Sequence, residues 1–348
     1  MMYLLWALVV LLGLFFPKNK IITILQMLYI WIAIGYCSWA PDFWSNEFMY
    51  NNVDSGLYTL YEPLFVNLIR LCRNFGFDFT EFRCVVATLM LVVLYFALRK
   101  RVIQKNVVLS TLIVYPILSF ASGLRSAIPF AIIIYAALQF VFDNNDKSRK
   151  VVIRYVILII IATLFHYSFI VFLLLLLLKK RFNINRMFRI LTAETVVIIM
   201  WRIGLLYLII GRFVHSQKVL LWLNYNSYNH PGILLDFVMV ALVFGTVYFL
   251  SKTAKWNYEL NEGRNLAIKN CCLFMVMFLP ALFMSVTFER YETVFLALNI
   301  IFIVDKYSVR SIKKFMYPAI GLIYNFAFYF FIHGNIFFPM LYSNMLIK

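Results

Sequence analysis

The sequence predicts an all-α polytopic membrane protein with about 12 transmembrane or re-entrant helices. Three observations support this fold class. Hydrophobic residues make up 64% of the 348 residues and the mean hydropathy is +0.86, which is far from a soluble composition. Most of the apolar stretches are close to the roughly 20 residues that a helix needs to cross a bilayer. Short clusters of Lys and Arg separate these stretches.

The apolar stretches give the order of the predicted helices. They lie near residues 2–16, 21–40, 81–98, 106–123, 127–142, 156–178, 188–210, 232–250, 269–287, 291–305 and 315–332. The first stretch lacks the basic start and small-residue cleavage site of a signal peptide, so we interpret it as a membrane helix. No intervening segment is long enough to fold alone. We therefore expect one integral membrane domain over residues 1–348, with the main periplasmic loops at 41–80 and 211–231.

The basic clusters orient the chain. Their members are Lys18 and Lys20; Arg99, Lys100, Arg101 and Lys105; Lys147, Arg149, Lys150 and Arg154; Lys179, Lys180, Arg181, Arg186 and Arg189; Lys252, Lys255, Arg264 and Lys269; and Lys306, Arg310, Lys313 and Lys314. Short loops rich in Lys and Arg stay in the cytoplasm, so all clusters should share that side and both termini should lie outside. The net charge of +17 thus indicates orientation and does not indicate a nucleic-acid partner.

The stretch 156–178 is the ambiguous one, because it is about long enough to cross once. A single crossing would place the basic segment after it on the outer side and invert the rest of the chain. An even number of crossings between basic clusters favours a hairpin that turns near His166. Short, broken helices are tolerated where their backbone lines a cavity, so we expect broken helices around an outward-facing cavity.

Charged and polar residues outside the basic clusters gather on the predicted outer side. They are Asp42, Glu62, Arg125, His166, Glu289, Arg290 and Tyr291. An ionisable group in an apolar span, as His166 is, is a functional candidate by default. An arginine binds phosphate with its planar fork, so Arg125 and Arg290 are candidates to clamp a diphosphate, although helix-end arginines also snorkel to the interface.

The same residues suggest a reaction. A carboxylate, Asp42 or Glu62, is placed to take the proton from an attacking sugar hydroxyl, and His166 offers a second base or a phosphate ligand. A diphosphate leaves readily, so we expect no metal and no cofactor. The five cysteines show no C-x-x-C spacing and indicate neither a zinc site nor a disulfide framework.

Several short motifs carry a family resemblance. They are Asp42 after the second span, Glu62-Pro63-Leu64-Phe65, Arg125-Ser126-Ala127-Ile128, Phe165-His166-Tyr167-Ser168 and Arg290-Tyr291. In this order the chain resembles the EpsG branch of the Wzy-type polysaccharide polymerases over roughly residues 20–305. It departs from the family pattern around Asp42, where Ala40 and Pro41 precede the aspartate and Asn46 stands where a tyrosine is usual, with Tyr50 further on.

The resemblance implies an enzyme of the bacterial inner membrane with its active site toward the periplasm or outer face. Such enzymes polymerise O-antigen, capsule or exopolysaccharide repeats: the growing glycan moves from undecaprenyl diphosphate to the non-reducing end of a new lipid-linked repeat. The implied catalytic residues are Asp42, Glu62 and His166, and the implied diphosphate ligands are Arg125 and Arg290. Sugar-positioning candidates are Tyr50, Tyr167, Glu289 and Tyr291. A chain-length regulator is a further expected partner.

Two other functions stay open from the sequence alone. A glycosyltransferase that uses a polyprenyl-phosphate sugar needs the same acidic base and phosphate-binding arginines. A flippase for the lipid-linked repeat would need polar groups through the whole depth of the membrane, whereas here they concentrate outside. Glu194, Arg202 and Asp236 are the intramembrane charges that would favour such a path.

Overall fold

The computed structural model describes residues 2–55, 62–142, 149–178, 180, 184–212, 262–278, 289–304, 319 and 343–346. The α-helices are α1 (Met2–Phe15), α2 (Lys20–Gly35), α3 (Phe43–Asn51), α4 (Pro63–Asn74), α5 (Phe79–Arg99), α6 (Lys105–Val114), α7 (Leu124–Phe142), α8 (Arg149–Phe165), α9 (Ile184–Arg202), α10 (Leu205–Ile210), α11 (Glu262–Phe278) and α12 (Glu289–Val304). Two 3₁₀ helices, Ile117–Ala121 and Tyr167–Leu177, follow α6 and α8. The described residues contain no β-strand, in agreement with the predicted all-α class.

Among the described helices, α5 and α7 are long and apolar enough to cross a membrane. Helix α5 begins with a capping box, in which the side chains of Asp78 and Glu81 each accept a hydrogen bond from the backbone N–H of the other. Helix α7 packs against both α5 and α8, and its side chains are buried on nearly all sides. It is therefore the central helix of the first half of the chain.

The predicted span 106–123 is broken. Helix α6 ends at Val114, Tyr115 is extended, and the chain continues through Pro116 into the 3₁₀ helix Ile117–Ala121. Proline lacks an N–H and disfavours a helical conformation in the residue before it, which favours a break at this point. Both pieces are buried in protein, which is where a membrane protein tolerates a broken backbone.

The stretch 156–178 forms the predicted hairpin. Helix α8 stops at Phe165, and the Tyr155 hydroxyl donates a 2.6 Å hydrogen bond to the Phe172 carbonyl, which requires the chain to fold back. The 17 residues of α8 rise about 25 Å and the 11 residues of the second arm also rise about 22 Å, because a 3₁₀ helix gains about 2.0 Å per residue. The arms thus match in length, and the predicted reversal at His166 is confirmed.

The C-terminal end of α1 meets the N-terminal ends of α2 and α6, and basic residues lie beside these ends. The Asn106 backbone N–H donates to the Pro17 carbonyl, and its side-chain amide donates to the Asn19 carbonyl at 2.8 Å. Thr23 in turn donates to the Asn106 side chain at 2.6 Å. The first two predicted basic clusters therefore lie at one end of these helices. Gln104 also donates to the Val304 carbonyl, which brings the end of α12 to the same place.

The chain divides into two compact units, one of residues 1–178 and 300–348 and the other of residues 179–299. In the second unit Asn270 donates to the Lys180 carbonyl at 2.8 Å, and the rings of Phe274 and Phe295 pack 5.6 Å apart. The predicted span 188–210 is interrupted by Gly204, whose φ of 76° is accessible to glycine at little cost.

Other predicted boundaries changed or lie outside the described residues. Span 21–40 is shorter than expected, because α2 ends at Gly35. The predicted loop 41–80 contains the helices α3 and α4. The span 232–250 lies outside the described residues, as do nearly all of the loop 211–231 and of the span 315–332, and the second half of 269–287.

Candidate active site

Three of the predicted site residues come together in the first unit. Glu62 lies between Arg125 and His166, with its Oε2 atom 3.6 Å from Arg125 Nη1 and its Oε1 atom 3.6 Å from His166 Nδ1. The Glu62 side chain is only 5% exposed, and that of His166 10%, whereas that of Arg125 is 31% exposed. The cluster is thus a buried carboxylate with two nitrogen partners, one of which reaches the surface.

Glu62 lies directly before α4. Pro63 is the first residue of α4, where the fixed φ of proline suits a helix start. Glu62 occupies the capping position, but its side chain makes no capping hydrogen bond to the helix. The carboxylate is therefore directed to Arg125 and His166 instead of to the backbone of its own helix.

His166 occupies the turn of the hairpin between α8 and the second 3₁₀ helix. Its backbone is extended, with φ of −158° and ψ of 110°, and its carbonyl accepts from the Phe169 N–H. The Nδ1 atom is 3.1 Å from the Ser168 hydroxyl, and the ring is 5.6 Å from that of Phe169. The Ser168 hydroxyl and the Glu62 carboxylate thus both lie on the Nδ1 side of the ring.

Arg125 is the second residue of α7. The segment that precedes it makes hydrogen bonds with Asp42. The Asp42 backbone N–H donates to the Ser122 hydroxyl, and that hydroxyl lies 3.3 Å from Asp42 Oδ2. Asn46 donates to the Ser122 carbonyl at 3.0 Å. Asp42 is exposed and reaches the cluster only through this segment, whereas Glu62 contacts Arg125 directly.

The predicted sugar-positioning residues differ in their surroundings. Tyr50 is a buried residue of α3, where its ring packs 5.0 Å from Phe82 and its hydroxyl donates to the Phe77 carbonyl at 2.5 Å. Burial raises the pKa of Tyr50 to about 12, so the hydroxyl stays protonated as a donor. Tyr167 is 46% exposed at the hairpin turn. In the second unit Tyr291 is buried, with its ring 5.4 Å from Phe278.

Glu289 and Arg290 begin α12, but their side chains lie outside the described residues. The role of Arg290 in a diphosphate clamp stays a prediction from the sequence.

Sequence reasoning missed Arg83. This residue of α5 is fully buried and donates hydrogen bonds to the carbonyls of Ile34, Gly35 and Ala121. In the sequence Arg83 lies at the beginning of an apolar stretch, next to the polar residues that cap α5, so it was not singled out as a buried charge. The signal that was available is an arginine inside a predicted membrane helix, five residues after the capping residue Asp78.

These features define a class, a helical protein of the membrane with a buried charged cluster at the ends of α7 and α8. A sequence profile of the EpsG family matches residues 20–344, and the chain belongs to this family. The suspected resemblance is thereby confirmed, and membership makes the chain a polysaccharide polymerase-type membrane protein. No curated protein and no solved structure matches the sequence significantly.

Proposed function

We propose that this protein polymerises lipid-linked oligosaccharide repeat units at the outer face of a bacterial inner membrane. In this proposal the growing glycan moves from undecaprenyl diphosphate to the non-reducing end of a new undecaprenyl-diphosphate-linked repeat. Membership of the EpsG family supports the reaction class. The observation that carries the proposal is the burial of Glu62 between Arg125 and His166.

His166 is the proposed base. The acceptor hydroxyl attacks the anomeric carbon of the growing glycan and gives its proton to Nε2, the other ring nitrogen of His166. The Glu62 carboxylate, 3.6 Å from Nδ1, holds the ring in place and stabilises the positive charge that the ring acquires. A carboxylate behind an imidazole performs these two tasks in many hydrolytic enzymes.

Arg125 is the proposed ligand of the leaving diphosphate. As the bond between the anomeric carbon and the diphosphate oxygen breaks, its electron pair stays on the oxygen. A guanidinium keeps its charge at any physiological pH and donates several N–H groups in one plane, which suits phosphate oxygens. The Arg125 side chain is anchored by Glu62 and remains 31% exposed, so it can contact a substrate. No metal and no cofactor is part of this proposal.

Asp42 is the second candidate base. Its exposed carboxylate lies beside Ser122, three residues before Arg125, so an acceptor bound along this segment would pass it. The two candidates are separated by substitution, because His166→Gln removes only the imidazole base and Asp42→Asn removes only the carboxylate.

The test is a gel of surface and lipid-linked glycan from a strain that lacks the gene and carries one variant at a time. Wild type should restore a ladder of repeats, whereas Arg125→Lys, Glu62→Gln and His166→Gln should leave surface material capped with a single repeat. Arg73→Lys is the matched control, since Arg73 is an exposed arginine of α4 that forms an ion pair with Asp54. Complete loss of surface repeats in the deletion strain would overturn the proposal and indicate a flippase or an earlier sugar transfer.

A further inference from the structure

A second arginine, Arg83, lies in the first unit without contacting the Glu62 cluster. Its side chain is fully buried, and its guanidinium packs 5.2 Å from the Phe43 ring centre and 5.6 Å from that of Phe79. Its Nη2 atom donates to the Ile34 carbonyl at 2.7 Å and to the Ala121 carbonyl at 3.3 Å. Its Nε atom donates to the carbonyls of Ile34 at 3.2 Å and Gly35 at 3.4 Å.

These acceptors lie at the C-terminal ends of two helices. Ile34 and Gly35 close α2, where backbone carbonyls lack helical partners and a cation is favoured. Ala121 closes the first 3₁₀ helix. A fully buried arginine is costly unless most of its hydrogen bonds are made, and the hydrogen bonds that Arg83 makes join the two helix ends.

The segment that Arg83 holds leads directly to the candidate site. Ser122, the residue after Ala121, bonds to Asp42, and its carbonyl accepts from Asn46. Helix α7 begins at Leu124, and Arg125 follows with its guanidinium 3.6 Å from Glu62. Only three residues, 122–124, separate Ala121 with its anchored carbonyl from the proposed diphosphate ligand Arg125.

We propose that Arg83 is a positioning residue that places Arg125 for catalysis by anchoring segment 121–125 to the end of α2. It acts through the Ala121 carbonyl and touches no substrate, so this inference rests on the proposed function of Arg125. The planar guanidinium of Arg83 can hydrogen-bond to the end of α2 and to Ala121 at the same time. Lysine keeps the charge but carries it on one flexible nitrogen, so it cannot reproduce that geometry.

The test measures chain extension by the purified full-length protein in proteoliposomes, with lipid-linked repeats extracted from the deletion strain as substrate. Arg83→Lys should lower kcat by about 10- to 100-fold, the scale of a small misplacement of a reacting group. The matched control is Arg99→Lys on the same helix, where an exposed guanidinium packs over the Phe96 ring, and it should leave kcat unchanged.

A double-mutant cycle separates positioning from general destabilisation. In an Arg125→Ala background, Arg83→Lys should lower kcat by less than about twofold, because the group that it positions is absent. The same fractional loss in both backgrounds, after normalisation to folded protein, would overturn the inference. Ser122→Ala loosens the same segment without altering Arg83, and should also lower kcat only when Arg125 is present. The Ser122→Ala variant allows the same test if Arg83→Lys does not fold. A loss of kcat in Ser122→Ala that does not depend on Arg125 would count against the inference. Full activity of Arg125→Ala alone would instead overturn the proposed function.

Discussion

Glu62 is the residue on which the candidate site depends, because it contacts both of the other members. A buried carboxylate next to an arginine is stabilised by that partner, and removing one member leaves the other charge in a poorly solvated place. Substitutions at Glu62 therefore test the site as a unit, whereas substitutions at Arg125 or His166 test single roles.

Glu62→Gln should lower the rate of chain extension by about 10²- to 10⁴-fold, the range for loss of a general base or of its activation. Glutamine keeps the size of the side chain but carries no charge, so it neither stabilises a protonated His166 nor pairs with the Arg125 guanidinium. The measurement is the initial rate in proteoliposomes, with the amount of folded protein determined by gel filtration. Extension at the wild-type rate would show that the carboxylate plays no part in the reaction.

Arg125→Lys should reduce extension by at least about tenfold, whereas Arg73→Lys should change neither rate nor stability by a measurable amount. The first substitution removes a planar donor that suits phosphate. The second alters an exposed pair with Asp54, and such pairs contribute about 0–1 kcal/mol. Equal losses in the two variants, measured side by side, would show that the effect is not specific to Arg125 and would contradict its role as a diphosphate ligand.

At the scale of elements, the hairpin of α8 and the second 3₁₀ helix presents His166. The arms are tied by the buried hydrogen bond from the Tyr155 hydroxyl to the Phe172 carbonyl, well away from the turn. This bond secures the hairpin while taking no part in the chemistry proposed for its tip.

Tyr155→Phe should therefore destabilise the protein without removing a reacting group. Hydrogen bonds between helices in membranes contribute about 0.6–1.7 kcal/mol, so the thermal unfolding midpoint should fall modestly while chain extension by the folded protein persists. Tyr95→Phe serves as the control, because Tyr95 is an exposed tyrosine of α5. An unchanged midpoint for Tyr155→Phe would contradict the importance of this bond.

Gly13 allows α1 to approach a buried polar cluster. A Cβ atom at this position would overlap the side chains of Gln26 and Ser110 and lie 2.7 Å from the Asn106 carbonyl oxygen. Those groups are bonded to one another, with Gln26 donating to the Asn106 carbonyl at 3.0 Å and to the Ser110 hydroxyl at 2.9 Å. The contact is thus close packing at a small residue, as is common between membrane helices.

Gly13→Ala should destabilise the protein by about 2 kcal/mol. Alanine in a helix is normally about 1 kcal/mol better than glycine, but overpacking of up to about 3 kcal/mol outweighs that gain here. Gly123→Ala is the matched control, since its added Cβ would meet only the Ser119 carbonyl oxygen at 3.9 Å. Unfolding in urea compares the two, and a stabilised Gly13→Ala would disprove the close approach.

The sequence indicated helices where hydropathy is high, but not their interruptions. Pro116 and Gly204 both interrupt predicted spans, and each is visible in the sequence as a residue that helices avoid. The hydropathy of a window of about 20 residues averages over one such residue, because the neighbours remain apolar. Propensity therefore corrects the boundaries that apolarity alone places wrongly.

The candidate site shows a similar limit. Glu62, Arg125 and His166 could be assigned to one side of the membrane from the positions of the basic clusters, but their contacts with one another needed the structure. The role of Arg83 was not predicted, because its partners are backbone carbonyls, which every residue has and which the sequence therefore does not reveal. The side-chain groups of Asp42 and Ser122 also converge only through the fold, 80 residues apart in the chain.

At the scale of the whole molecule, residues 343–345 meet residues 36–38, which directly follow α2. Ser38 donates its backbone N–H to the Ser343 carbonyl at 2.7 Å, and Met345 donates to the Tyr36 carbonyl at 2.9 Å. This pattern makes Cys37 and Asn344 a directly opposed antiparallel pair without hydrogen bonds between them, for which the Cα atoms lie about 4.5 Å apart. The C-terminal segment thus closes the end of α2 that Arg83 also holds.

Asn344→Cys should consequently form a disulfide with the native Cys37 when membranes are treated with a mild oxidant, because opposed Cα atoms at this separation fall within the range of disulfides. Five free cysteines are present in the native chain, so the variant carries six, and oxidation should remove two of them from reaction with a maleimide reagent on a denaturing gel. The double variant Cys37→Ser with Asn344→Cys should lose none. If the single variant also lost none, the C-terminal segment would not lie against Cys37, and the pairing of residues 36–38 with 343–345 would be wrong.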